Sequence, residues 1–474
     1  MKGKIVKIGY CPTKRQIFNP TAPYEVNKEI ISIIDGLNEH IEIVYGVPNP
    51  ADVLLDTEET MEQMLAKFRE EKIDGLFIAE CNFGSEILLS RLAKALNVPV
   101  LLWGPRDEAP DANGLRARDS QCGSFAAGKV LRHYNVPFTY LIGSKVDSDY
   151  FRQGFVRFAA VCNVVRCFRQ MRVLQVSTRP QPFMSVICNE GELLEKFGIE
   201  TIPVPLDELL RGAETLRNNR DARVLELAAF LKTLIRPGDN VEHEAFMLAS
   251  VKVSLGDLIK NYGCNTATVQ CWHAIHQITG IQPCIAHALL SDEGYPIACE
   301  TDICGAISAA LLQAASFDTN PQFFADLTVR HPEDDNAELL WHCGPFPYSL
   351  RNDACKAVVS ESYTLDGHVC GICEWELKQG DITTIRFDGD HGKYSLFIGE
   401  AVTTTGPYNR GTYVWIKTKD WNKWERKLVE GPYVHHVAGS YGHYGEIIAE
   451  ACKYFGDVTA DFAECGDEIM SRWG

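Results

Sequence analysis

The chain has 474 residues, is 46% hydrophobic and 23% charged, and carries a formal net charge of −17. That length suggests about three globular domains, and the acid excess disfavours a nucleic-acid partner, which rewards basic patches. No run approaches the roughly eighteen uninterrupted apolar residues of a membrane span, the start MKGKIVKIGYCP lacks the apolar core and cleavage site of a secretion signal, and seventeen cysteines scattered through core-like runs fit free thiols in a reducing cytoplasm.

In chain order, residues 1–168 alternate strand-like and helical runs. KIVKIGY precedes YEVNKEIISIIDGLNE; IEIVYGV precedes the acidic TEETMEQMLAKFREEK; DGLFIAE precedes GSEILLSRLAKALN; VPVLLWG and a helix near SFAAGKVLRHYN lead to FTYLIG. This β-α-β-α rhythm predicts a doubly wound parallel sheet. A second α/β domain is predicted over 169–349, from MRVLQVS through ETIPVP and TATVQCW to FFADLTV and AELLWHCG. From about residue 350 the segments become short, β-branched or aromatic, and separated by Gly, Asp and Asn, as in HVCGICEWEL and GTYVWIKT. They predict a β-rich, barrel-like domain over 350–474.

Two carboxylates stand out. Glu300 in YPIACETDICGAISAALL follows an apolar strand and precedes a helix with almost no polar face. It lies at the carboxyl end of a strand, where α/β ligand sites gather; it reads equally well as a helix-start residue beside a capping Asp302. Asp326 in NPQFFADLTVRH is costly to bury unless paired or metal-bound, and on an alternating strand it shares a face with Phe324 and Thr328; the alternative is an exposed strand face. Near the C-terminus, HHVAGSYGHYG (435–445) places paired imidazoles on a glycine-rich turn, with His443 expected to begin the helix that follows. Carboxylates with one imidazole suit a divalent ion such as Mn²⁺ or Mg²⁺.

Three segments, ACETDICG, FFADLTV and HHVAGSYGHYG, appear in the order and approximate spacing of the L-fucose isomerase-like sugar isomerases. The chain resembles that family, and more distantly the L-arabinose isomerases, with weaker similarity over KIGYCPTKR and TVQCWHAIH. The resemblance implies that Glu300, Asp326 and His436 hold one divalent ion, usually Mn²⁺. It also implies two α/β domains (the second carrying Glu300 and Asp326), a β-rich domain carrying His436, and a cytoplasmic homo-oligomer, commonly a hexamer, with sites near subunit contacts. The implied reaction is aldose–ketose isomerisation by cis-enediol proton transfer, with Glu300 and Asp326 as base and acid. This chain is shorter than the best-known fucose isomerases and has His435 and Val437 where they carry Asn and Gly.

Gln270, Trp272, Trp415 and His435 are candidate sugar contacts, Trp415 being equally readable as a packed barrel aromatic. Arg15, after the first strand, reads either as a contact to a neighbouring subunit's site or as a solvated loop arginine, and Arg179 and Met184 are expected to line the sugar's far end. A deoxy-hexose or pentose is the leading substrate. Lys14, Arg15 and Arg179 make an anionic sugar such as sulfoquinovose a close second, because forked guanidinium donors suit sulfonates. Two rivals are weighed. A sugar-binding protein would show a secretion signal and few cysteines. A thiol enzyme could use Cys343 beside His342 or Cys81 beside Glu80, yet neighbours on a strand point apart. The single Cys-x-x-Cys, Cys370 to Cys373, reads as structural.

Overall fold

The computed structural model describes residues 3–16, 19–238, 240–363 and 369–464. By its internal contacts the chain divides into two units, Gly3–Arg166 and a larger one that begins at Cys167. In the first, β1 (Val6–Thr13), β2 (Ile41–Tyr45), β3 (Gly75–Glu80), β4 (Val100–Trp103) and β5 (Thr139–Tyr140) form a parallel sheet in the order β2-β1-β3-β4-β5. Every residue of β3 and β4 is buried, as a sheet covered on both faces requires. The acidic helix Glu58–Glu71 starts where the Thr57 hydroxyl accepts from the Thr60 N–H (3.2 Å) and stops at Lys72, whose φ of 54° ends the helical path.

The larger unit holds two sheets. β6 (Arg172–Val176), β7 (Glu200–Val204), β8 (Thr266–Val269) and β9 (Ile297–Ala298) pair in parallel in the order β7-β6-β8-β9. The second sheet has nine strands: β10 (Phe323–Arg330), β11 (Ala337–His342), β12 (Val358–Glu361), β13 (Cys370–Glu376), β14 (Asp381–Asp390), β15 (Lys393–Thr404), β16 (Thr412–Lys417), β17 (His436–Tyr441) and β18 (Val458–Phe462). Six of them, β16-β11-β10-β17-β14-β15, close into a barrel through the β15–β16 pairing. The fold is thus the expected one: parallel α/β sheets followed by a barrel with extra strands.

The sheets do not divide at residue 350, the boundary expected from the sequence. β10 and β11 belong to the barrel, so Asp326 is carried by the barrel and not by the parallel sheet that precedes Glu300. FFADLTV and AELLWH are short, largely apolar runs, whose pattern does not reveal which strands they pair with. The stretch expected to be a glycine-rich turn is strand β17. Its Gly439 has a packing cause: a Cβ there would sit 2.2 Å from Cζ of Phe323, so the aromatic ring of β10 occupies the missing side chain's place.

The helix Ile303–Ala314 explains its own composition. All twelve residues are buried, because it packs against β6, β8 and β9 on one side and β10, β14 and β17 on the other. It therefore joins parallel sheet and barrel, and its first turn lies where the two meet. Among the described residues no helix is long and apolar enough to cross a membrane.

Candidate active site

Glu300 sits between β9 and the buried helix, with φ of 54°, and Thr301 follows with φ of 59°. Two consecutive left-handed residues other than glycine cost about 1–3 kcal/mol each and persist only where the surroundings impose them. The bend carries the Glu300 side chain into a buried spot where its Oε2 atom has no hydrogen-bond partner. Oε2 lies 3.7 Å from Nε2 of His342 and 3.9 Å from Nε2 of His436.

Asp326 is aligned directly opposite His436 across the β10–β17 ladder. Its Oδ1, also buried and unpartnered, is 3.3 Å from Nε2 of His436, 4.0 Å from Nε2 of His342 and 3.9 Å from Nε2 of His435. The Nε2 of His342 is a third buried atom without a partner. Buried polar atoms are rarely left unsatisfied. Two carboxylate oxygens thus approach Nε2 of His436, and ligand atoms of Asp326, His435 and His436, one from each, all lie within 4.8 Å of one another, close enough to hold a metal ion. Glu300 and Asp326 each lie within 4 Å of Nε2 of His436, and carboxylates with imidazole are the ligand types that suit a divalent ion.

The orientation of His436 is fixed from behind. Its Nδ1 lies 2.8 Å from Oδ2 of Asp302. Asp302 caps the buried helix by accepting from the Gly305 N–H (2.8 Å) and is gripped by both terminal nitrogens of Arg386, Nη2 at 3.1 Å from Oδ1. Arg386 in turn holds Asp388 through Nε (2.8 Å). Burial pushes the Asp302 carboxyl up, but Arg386 and His436 outweigh it and hold its pKa well below the usual carboxylate range. An ionised Asp302 accepts the Nδ1 proton of His436 and leaves the Nε2 lone pair facing the two acids.

His342 is set the other way. The backbone N–H of Cys343 donates to its Nδ1 (2.9 Å), so the neutral ring carries its proton on Nε2 and points an N–H at Glu300 and Asp326. Burial disfavours charge on His342, while Cys343, Asp326 and Glu300 raise its pKa well above the ordinary imidazole value. Glu300 responds in kind: burial raises its pKa, and His342 and His436 more than reverse this. The sequence weighed His342 only as a partner of Cys343; the signal for its present role is the tertiary pairing of β10 with β11.

An aromatic wall stands beside these groups. The Phe183 ring, from the loop after β6, lies 5.1 Å from Trp272 and 6.4 Å from His436 between centroids, nearly parallel to the latter at 22°. His435 sits at the rim, its ring 4.2 Å from that of His436 and tilted 56° to it. Gln270 accepts from the Ser177 hydroxyl (3.0 Å), tying the loops after β6 and β8 together. Arg179 donates to the carbonyls of Pro180, Gln181 and Phe183, each at 3.3 Å, and has no carboxylate partner among the described residues. Met184 follows Phe183 and is 65% exposed.

Other candidates have partners of their own. Trp415 is buried in a small cluster with Leu339 and Tyr413, and its Nε1 donates to the Pro407 carbonyl (2.9 Å). His443 faces Asp381 and Glu400, 3.2 and 3.5 Å away. Arg15 and Lys14 belong to the other unit, where Arg15 pairs with Glu86 (3.0 Å) and Lys14 with Asp56 (2.5 Å). Cys343, contrary to the expectation that neighbours point apart, has its sulfur 3.2 Å from Nδ1 of His342, since β11 ends at His342 and the strand alternation ends with it. Contact with Cys284 and burial raise the Cys343 thiol pKa well above normal, the opposite of an activated nucleophile.

Two family models and several curated relatives match the chain. Residues 9–169 match the family model described as fucose/sulfoquinovose isomerase, N-terminal domain, and residues 340–461 match L-fucose isomerase, C-terminal domain. Together they span more than half of the chain, with Glu300 and Asp326 in the stretch between. Proteins named sulfoquinovose isomerase from Priestia aryabhattai and Priestia megaterium are each 24% identical over 404 residues, 85% of this chain and 88% of theirs. One from Alkalicoccus urumqiensis is 25% identical over 349 residues, 73% of this chain and 76% of its own. A sugar-transporter solute-binding protein from Actinobacillus succinogenes 130z, 13% identical over 66% of this chain and 92% of that one, has a TM-score of 0.16, which carries no argument.

Proposed function

Because the chain belongs to the L-fucose isomerase-like family, we propose that this aldose–ketose isomerase acts on sulfoquinovose, giving sulfofructose, with Mn²⁺ as its ion. The observation that carries the catalytic reading is the convergence of orphaned Glu300 Oε2 and Asp326 Oδ1 on Nε2 of His436. The sulfonated substrate, ranked second from the sequence alone, is favoured by the names of the relatives. Arg179 supports it too, as a guanidinium that among the described residues engages only carbonyls beside the aromatic wall. The neutral L-fucose or D-arabinose reading keeps the support of the C-terminal match.

Glu300, Asp326 and His436 would hold the ion, whose chemistry is Lewis-acid polarisation of neighbouring carbonyl and hydroxyl oxygens. The protein's own groups do the rest. Isomerisation moves one proton from C2 to C1 and a second from O2 to O1, and Glu300 and Asp326 act as paired base and acid in these transfers. His342 offers its Nε2–H to a sugar oxygen as charge gathers there. Phe183 and Trp272 cover the apolar face of the sugar and keep water from the reacting carbons, and Gln270 and His435 supply polar contacts. Arg179 holds the sulfonate, with Met184 beside it. The homo-hexameric assembly of the family, with Arg15 supplied by a neighbouring subunit, and a cytoplasmic location belong to the same proposal; sedimentation in solution checks the assembly.

The deciding assay measures turnover of sulfoquinovose, L-fucose, D-arabinose and L-arabinose with Mn²⁺ added. A kcat/KM for sulfoquinovose above all three others supports the proposal; preference for a neutral sugar overturns the substrate. Arg179→Met should raise KM for sulfoquinovose and leave KM for a neutral sugar unchanged.

A further inference from the structure

Glu300 has two faces. Oε2 looks toward the histidines, but Oε1 looks the other way, 3.8 Å from the sulfur of Cys271. The sulfurs of Cys271 and Cys299 and a Glu300 carboxylate oxygen all lie within 4.8 Å of one another, and the three residues are buried. His287 adds a nitrogen: its Nδ1 is 3.5 Å from the Cys299 sulfur, it is fully buried, and its Nε2 has no partner. Burial holds its pKa down at about 3, so it stays a neutral donor. Two thiols, an imidazole and a carboxylate are the donor set of a soft or borderline d¹⁰ ion, whereas Mn²⁺ favours oxygen-rich sites.

We propose that Cys271, Cys299 and Oε1 of Glu300, with His287 beside them, form a second cation site that takes a thiophilic divalent ion of the Zn²⁺ or Cd²⁺ class. Tetrahedral zinc with sulfurs at about 2.3 Å sets ligands about 3.8 Å apart, so the side chains need to close by about 1 Å. Each ion bound displaces the two thiol protons to solvent. Because Glu300 serves both positions, an ion on Oε1 draws charge from Oε2 and weakens the adjacent centre. The protein would thereby be inhibited by thiophilic metals at a place distinct from simple replacement of its working ion. The binding stands independently of the proposed reaction; the inhibition rests on it.

Titration of the Mn²⁺-loaded protein with CdCl₂ reads the site directly through the ultraviolet thiolate-to-cadmium charge-transfer band. The band should saturate at one ion per chain and fall to roughly half in Cys271→Ser and in Cys299→Ser, each sulfur supplying one bond. It should be unchanged in Cys284→Ser, which removes another close thiol pair, Cys284 and Cys343 (3.3 Å), and in Cys188→Ser, which removes the contact of Cys188 with Cys304. Mn²⁺ affinity, followed by electron paramagnetic resonance, should drop about tenfold as the band appears. No band in the wild-type protein overturns the proposal, as does a band that survives both serine changes and disappears in Cys284→Ser. X-ray absorption of the zinc-loaded wild-type protein needs no variant: sulfur neighbours at about 2.3 Å are expected, and a shell of only nitrogen and oxygen overturns the site. These readouts hold even if no tested sugar is turned over.

Discussion

The Nδ1 of His436 and Oδ2 of Asp302 lie 2.8 Å apart, although 134 residues separate them in the chain. That contact decides which nitrogen of His436 faces the acids, and it links the helix cap of Asp302 to the proposed cation site. Asp302→Asn removes the charge that fixes the tautomer. Mn²⁺ affinity should fall about 10–100-fold, as measured by calorimetric titration of the purified variant.

Arg386 neutralises the buried Asp302 and Asp388 together. Arg386→Met would leave both carboxylates without a counter-charge in the core. The expected loss is about 3–5 kcal/mol of stability, seen as a lower urea midpoint; an unchanged midpoint would show that the pair is dispensable.

Glu300→Gln and Asp326→Asn should fold, since each replaces an unpartnered buried carboxylate oxygen with a neutral amide. Turnover should be lost in both. The diagnostic is the ion's effect on melting. Saturating Mn²⁺ at about 100 times its Kd stabilises wild-type protein by about 2.7 kcal/mol, and this increment should vanish in the variants.

Glu80 is fully buried at the end of β3, and burial raises its carboxyl to about 8, against partial relief from the Gly84 N–H that donates to it (2.8 Å). In the unfolded chain it titrates near its ordinary 4.5. The folded state therefore binds the extra proton between these values, and stability is full below about pH 4.5 and falls as pH rises toward 8. The slope from this one group is at most about 1.4 kcal/mol per pH unit. Glu80→Gln should remove that decline, measured by urea unfolding from pH 5 to 8.

Gly439→Ala would push a methyl carbon into the Phe323 ring. A cost of about 1–3 kcal/mol is expected from overpacking, and because β17 also carries His436, kcat should fall with it. Thermal melting and steady-state turnover of the same preparation test both.

Much of this was legible in the chain. The buried runs GLFIAE and VLLW, between amphipathic helices, specify a parallel sheet, and the all-apolar ICGAISAALLQA specifies a helix covered on both sides. The odd carboxylate positions of Glu300 and Asp326 were visible because acids amid apolar residues need a partner. The glycines of HHVAGSYGHYG suggest a turn, whereas the segment forms strand β17, because Gly439 packs under Phe323, 116 positions away. His342 was missed as a site group for the same reason, and Trp415 resolves into barrel packing that its strand composition equally allowed.

The sequence by itself determined the local elements, the buried character of the central helix and the residue types able to hold a cation, because period, burial cost and side-chain chemistry act within a few residues. Tertiary structure alone decided which atoms meet. Barrel closure puts Asp326 opposite His436, the strained bend at Glu300 turns its two oxygens toward different neighbours, and the contacts of Asp302 and the Cys343 amide fix the tautomers of two histidines. Strand register and ring orientation are set by long-range pairing, and no local window of residues contains that information.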